Sequence, residues 1–310
     1  MDDTILDISH VSKRFGRFQA LEDLSLSINR GEIYGLIGEN GAGKTTLMRL
    51  ITGLSPMQKG TIRLMGRTIG KNRRILSRIG SIIEAPAAFK KLTVSQNKKL
   101  TAIQHGLADD KAISQAIDFV GLGEKAKTRA AHLSLGQRQR LGLAMAIPTR
   151  PDFLILDEPI NGLDPAGIIE FRTLLGKLNK ERQTTILISS HILSELYLVS
   201  SRFGFISHGR LIKEADKDEL DRINQNGLLI DVDQSSKTAT IMDRQGIGSL
   251  QVLDDHQILI RQGNLEPGPI NSLLVQKGIL VNQISQQKGS LEGYFADLLN
   301  KDPQESRRQQ

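Results

Sequence analysis

Residues 33–51 constrain this chain more than any other stretch, because they read as a buried strand, a glycine-rich turn and an apolar helix in immediate succession. The turn Gly38-Glu39-Asn40-Gly41-Ala42-Gly43 runs into Lys44-Thr45-Thr46 and fits G-x-x-x-x-G-K-[ST] without a mismatch. Glycines at 38, 41 and 43 let the backbone curl so that successive N–H groups converge. The helix that starts near Lys44 adds the positive end of its dipole. Together these suit an anion carrying several phosphates. Lys44 can reach β- and γ-phosphates and the Thr45 hydroxyl suits Mg2+, with Asn40 and Thr46 as further candidate contacts of the loop. The motif predicts a nucleoside triphosphate and leaves open what its energy is used for.

A second apolar run, Phe153-Leu154-Ile155-Leu156, ends in two carboxylates, Asp157 and Glu158. An aspartate at the C-terminal end of a parallel strand stands over the phosphate loop, where it can hold the Mg2+ shell. The next carboxylate, Glu158, is then placed to polarise an attacking water. The run TTILISS at 184–190 is a third nearly continuous apolar strand. Helical stretches separate these strands, so the expected core is α/β with right-handed crossovers. Residues 4–30 alternate at period two around Leu24, Leu26 and Ile28, which predicts an antiparallel β subdomain at the start. From about 85 to 150 the pattern becomes helical and polar, the signature of an inserted helical subdomain.

After residue 220 the texture changes to β-α-β-β-α-β and a closing helix, the order of a split βαβ, ferredoxin-like unit. The expected organisation is therefore a domain over 1–220, a small α+β domain over 221–300 and a disordered tail over 301–310. Charge divides along the same line: residues 221–310 carry 9 Lys and Arg against 11 Asp and Glu, leaving a net +9 for residues 1–220. A basic half fits either nucleic acid or work on an anionic nucleotide beside a membrane. Aromatics are only 4% and tryptophan is absent, so the stacking platforms of single-strand binders are missing and no nucleic-acid partner is expected. Without cysteine there are no disulfides or thiolate metal sites, and no run of 18 apolar residues offers a membrane span. These features predict a protein of the reducing cytoplasm.

Many phosphate-loop ATPases share the first two motifs; Leu133-Ser134-Leu135-Gly136-Gln137 narrows the choice. It resembles the LSGGQ signature of ATP-binding-cassette (ABC) proteins, with Leu135 in place of one glycine. Taken alone, Ser-x-Gly is also a common helix start. Across residues 4–220 the other family elements follow in order. Phe15 resembles the aromatic that stacks on adenine, often a tyrosine in the family; a strand core residue is the plain alternative. Asn161-Gly162-Leu163-Asp164 resembles the D-loop, and His191 resembles the switch histidine that contacts the γ-phosphate. Where the family usually has a glutamine that senses Mg2+ and faces the membrane partner, this chain has Glu84, in Ile82-Ile83-Glu84-Ala85-Pro86. That substitution, with DEPINGLDPAGI, ISSHILSEL and ISQQKGSLEGYF, resembles the ATPases of lantibiotic and bacitracin export and immunity.

The resemblance implies an ATP- and Mg2+-dependent motor that forms a head-to-tail homodimer. Each ATP would lie between one phosphate loop and Ser134, Gly136 and Gln137 of the other copy, with Thr45, Asp157 and Glu84 toward the metal and Glu158 and His191 as catalytic residues. It also implies an integral membrane permease as partner, docked near residues 85–105, and a peripheral place on the cytoplasmic face of the membrane. Residues 221–310 would regulate or stabilise the dimer. Cassette ATPases of ribosomes generally carry two cassettes and those of DNA repair a long inserted coiled coil; this chain has one cassette and a short insert.

Overall fold

The computed structural model describes residues 3–70, 73–106, 111–247, 250–261, 265–287 and 289–300; the expected 301–310 tail lies outside them. It opens with a hairpin of β1 (Thr4–Phe15) and β2 (Phe18–Asn29), followed by β3 (Ile33–Ile37) and α1 (Lys44–Ile51). Next come β4 (Lys59–Leu64), β5 (Arg67–Thr68) and β6 (Ile79–Ile82), then α2 (Val94–Gln104), α3 (Lys111–Phe119) and α4 (Leu135–Ala146). The chain continues through β7 (Phe153–Leu156), α5 (Pro165–Arg182), β8 (Thr185–Ser190), α6 (Leu193–Tyr197), β9 (Arg202–Ser207) and β10 (Arg210–Asp216).

Two sheets result, one antiparallel in the order β2-β1-β4-β5 and one of six strands in the order β10-β9-β3-β8-β7-β6. In the larger sheet β3, β6, β7, β8 and β9 run parallel. Every residue of β3, β7 and β8 is buried, which is why these strands read as unbroken apolar runs. β1 and β2 alternate instead, and their inward residues join Leu36, Leu47, Phe153 and Leu187 in one core. Both α2 and α4 start with capping boxes, Thr93 with Gln96 and Ser134 with Gln137.

A second compact unit covers Asp216–Asp297, and the described residues 3–215 and 298–300 belong to the first. The boundary expected at 220 falls inside α7 (Lys217–Asn224), whose Asp216 cap and buried Leu220 make it one continuous element. Then follow β11 (Gly227–Val232), α8 (Ser235–Arg244), β12 (Leu250–Val252), β13 (Gln257–Ile260), α9 (Pro267–Gln276), β14 (Val281–Gln287) and α10 (Leu291–Asn300). The sheet order is β12-β13-β11-β14, with antiparallel neighbours throughout. Ile230, Val232, Ile258, Ile260 and Leu274 give this unit its own core.

Candidate active site

The turn between β3 and α1 is shaped by its glycines. A Cβ on Gly38 would lie 2.5 Å from the Ile206 carbonyl, and one on Gly43 would lie 2.7 Å from that of Ala20. Gly43 is also the cap of α1 at φ 110°, and no acidic residue follows in the first turn to offset the helix dipole. Gly41, at φ 84°, faces open space. The loop is therefore packed from behind and open in front, the cradle a phosphate chain requires. Asn40 is exposed beside Gly41, and Thr45 and Thr46 are half-buried in the first turn of α1. A cavity of about 450 Å³ adjoins the loop, lined by Arg17, Phe18, Gln19, Asn40 and Gly41 among others. Exposed Phe18, the first residue of β2, also lines this cavity, and no motif in the sequence marks it.

Lys44 is 5% exposed, and its ammonium donates to the carbonyls of Gly38 at 2.6 Å and Glu39 at 3.0 Å. Its third neighbour is Glu158 Oε1 at 3.1 Å. Across the sheet, Thr45 Oγ1 donates to Asp157 Oδ2 at 2.7 Å. A hydroxyl and a carboxylate so close are two hard oxygen donors, and they fit a Mg2+ ion. Ser189, at the end of β8, donates to Asp157 Oδ1 at 2.8 Å and accepts from the Glu158 N–H at 3.0 Å. It is fully buried and ties both carboxylate residues to the neighbouring strand. Sequence reasoning missed it, because one serine in an apolar strand carries no motif. Ser189→Ala leaves a buried carboxylate oxygen and a backbone N–H without this partner, so a loss of about 1–3 kcal/mol is expected in denaturant unfolding. An unchanged midpoint would remove Ser189 from the site's framework.

Glu158 sits at φ 45°, the left-handed region that a non-glycine residue enters at a cost. That turn carries its side chain to Lys44 and to His191, whose Nδ1 is 2.9 Å from Oε2. An ionised carboxylate only accepts, so the imidazole carries its proton on Nδ1. Asn161 Nδ2 donates to the same oxygen at 3.3 Å. Burial pushes the Glu158 carboxyl up, but the hydrogen bond and charge of Lys44, with His191, outweigh it and hold the group below its ordinary value. The site thus keeps Glu158 ionised at neutral pH.

Three other expected elements stand apart from this cluster. Ser134 Oγ accepts from Gln137 N at 3.2 Å and Gln137 Oε1 accepts from Ser134 N at 3.1 Å, so the two side chains cap α4 and Gly136 lies in its first turn. Glu84 was expected toward the metal, yet its carboxylate, 59% exposed, forms an ion pair with Arg49 of α1. Among the described residues no cluster of three or more acidic or histidine ligands could hold a metal ion. Glu84 and Glu158 do line one cavity of about 320 Å³, together with Pro86, Leu135 and Gln139. Close packing joins that region: a Cβ on Gly142 of α4 would lie 2.7 Å from Pro86 Cβ. Phe15 ends β1 and is 48% exposed, unlike the buried core residues of that strand.

A family model described as ABC transporter matches residues 21–161. The bacitracin transport ATP-binding protein BcrA of Bacillus licheniformis is 38% identical over 96% of this chain and 97% of its own length. BcrA of Enterococcus faecalis is 36% identical over 95% of this chain and 96% of its own. The lantibiotic transport ATP-binding protein SrtF of Streptococcus pyogenes is 40% identical over 71% of this chain and 95% of its own. Among solved structures, cbiO1 from Clostridium perfringens, part of the ABC transporter complex cbiONQ, matches with a TM-score of 0.65 at 28% identity. That match covers 71% of this chain and 91% of cbiO1. A dimeric ATP-binding cassette in a post-hydrolysis state with ADP and Pi shares the fold, at TM-score 0.62 and 23% identity over 68% of this chain and 98% of that one. Phosphate loop, paired carboxylates and histidine thus occur in a chain that aligns almost end to end with transport ATPases, and the chain belongs to the ABC transporter family as an ATP-hydrolysing, ATP-binding subunit.

Proposed function

We propose that this subunit powers the export of a peptide antibiotic or bacteriocin, as self-protection or resistance, by driving a separate integral membrane permease from the cytoplasmic face. The observation that carries the cargo class is the near full-length similarity to two bacitracin transport proteins. No helix among the described residues is long and apolar enough to cross a membrane, so a spanning partner is part of the reading.

The working unit is a homodimer arranged head to tail. Ser134 caps α4, whose first turn holds no acidic residue, so the helix start can face the γ-phosphate bound by the other copy. Lys44 exchanges its contact with Glu158 for the phosphates. Thr45 and Asp157 would hold Mg2+, which supplies neutralisation of charge on the phosphoryl oxygens. Freed from Lys44, Glu158 orients and deprotonates the attacking water, while His191 holds it in place and reaches toward the γ-phosphate. Hydrolysis removes the anionic bridge between the copies, and the dimer reopens.

Glu84 couples this cycle to the permease. It lies two residues before Pro86, against α4, and its ion pair with Arg49 links the loop to the helix that follows the phosphate loop. Glu84→Gln is expected to change ATP turnover in the complex several-fold more than in the isolated subunit. An identical ratio in both settings would remove Glu84 from coupling.

The test of the whole reading is a tagged pull-down from detergent-solubilised membranes, followed by inhibition assays with bacitracin and a lantibiotic. A stoichiometric multi-helix partner and a shift in sensitivity are expected. A membrane partner without any shift would keep the transporter and overturn the cargo. Recovery of ribosomal or DNA-associated proteins alone would overturn transport.

A further inference from the structure

We propose that Lys13 is a positioning residue for the nucleotide base and acts through Phe15; this rests on the reading of Phe15 as the ring on which adenine stacks. Lys13 is 4% exposed, an unusual place for a lysine. Its ammonium donates to the Pro56 carbonyl at 2.7 Å and lies 5.1 Å from the centroid of the Phe15 ring. The charge therefore backs a ring that is otherwise half open to solvent.

Strand geometry places the two side chains together. The β1–β2 register shifts between Val11 and Lys13 and again between Lys13 and Arg14. Strand alternation is kept across these shifts, so Lys13 lies on the same face as buried Val11, with Phe15 next along that face. The end of β1 is then fastened twice to the segment that follows α1. Lys13 holds Pro56, while the Arg14 N–H donates to Gln58 Oε1 at 2.7 Å and Gln58 Nε2 donates to the Arg14 carbonyl at 3.1 Å. Since α1 begins at the phosphate loop, these contacts set the position of Phe15 relative to the phosphates.

The ammonium has a second, electronic effect. A cation over one face of an aromatic ring draws π density toward itself. The opposite face becomes a better stacking surface for an electron-rich purine. Phenylalanine lacks the hydroxyl of the tyrosine usual at this place, and Lys13 provides orientation and polarisation from behind instead. Lys13 touches no phosphate in this scheme, so its influence depends on the base.

The experiment compares binding of MgATP and of inorganic triphosphate, which has no base, by the full chain and its variants. Lys13→Met is expected to weaken MgATP about threefold to tenfold, in line with a partly desolvated cation–π contact, and to leave triphosphate unchanged. Lys13→Arg restores most of the loss. In a Phe15→Leu background, Lys13→Met has no further effect on MgATP. Should Lys13→Met not fold, Lys13→Gln keeps a donor for Pro56 without the charge and carries the same comparison. Equal weakening of MgATP and triphosphate would overturn the proposal, reducing Lys13 to a brace of the phosphate loop. So would a Lys13 variant that binds MgATP normally while Phe15→Leu does not. If Phe15→Leu itself binds MgATP normally, the stacking reading of Phe15 fails first, and the role of Lys13 with it.

Discussion

Glu158→Gln is expected to lower ATP hydrolysis at least about a hundredfold while leaving MgATP binding intact, because a general base contributes roughly 10²–10⁴-fold and glutamine keeps the shape without the basicity. The remaining amide can still accept from His191 and Asn161, so the loop retains its left-handed turn at this residue. In the proposed sandwich dimer, binding without hydrolysis would leave the anionic bridge between two copies in place. The variant should therefore accumulate as an ATP-bound dimer on size exclusion, whereas the wild type returns to monomers as ATP is consumed. Hydrolysis at the wild-type rate would refute the assignment of Glu158 as the base. A dead enzyme that stays monomeric with ATP would leave the base in place and refute the sandwich dimer.

Lys44→Met should have the second large effect, on both binding and pH dependence. Loss of a charged donor to the β- and γ-phosphates weakens MgATP by about tenfold to a hundredfold, as charge-assisted hydrogen bonds of about 1.5–3 kcal/mol imply. The same change removes the principal group that holds the Glu158 carboxyl low, leaving burial to push it up against His191 alone. In the wild type a depressed folded value means that Glu158 contributes stability above its unfolded value, near pH 4.3, and loses it as pH falls through the folded value. In the variant that contribution shrinks or reverses. The wild type's advantage in the pH-dependent part of stability should then be full at neutral pH and should narrow as the solution is acidified through pH 5 to 3. Parallel stability curves for the two proteins across that range would show that Lys44 does not set the charge of Glu158.

Much of this site was readable from the chain alone, for a specific reason. The phosphate loop, the paired carboxylates and His191 each stand at the end of a strand, and strands β3, β7 and β8 are unbroken apolar runs. Parallel strands buried on both faces must read that way, so their ends could be located without coordinates. The glycine spacing is similarly local, since backbone curvature depends on residues within the turn. Glu84 is a different case. Its identity marked it as unusual, but its pairing with Arg49 depends on how a loop after β6 meets α1. Buried Asn97 is a parallel case: it donates to the carbonyls of Phe89, Leu92 and Thr93, and so fastens the segment after Glu84 to α2. An asparagine in a polar helix gives no warning of that role.

The sequence by itself determined the α/β core, the triphosphate chemistry and the order of the strand ends that carry it. Periodicity and turn chemistry act over a few residues, and those features need nothing longer. Only the tertiary structure decided that Ser189 joins Asp157 to Glu158, that Lys44 is held by Glu158, and that Lys13 stands behind Phe15. The first two depend on neighbouring strands far apart in sequence, β3 beside β8 and β8 beside β7. The third depends on the chain leaving α1, whose Pro56 carbonyl holds the Lys13 ammonium. Pairing between distant segments follows from how whole faces pack, and no short pattern encodes it.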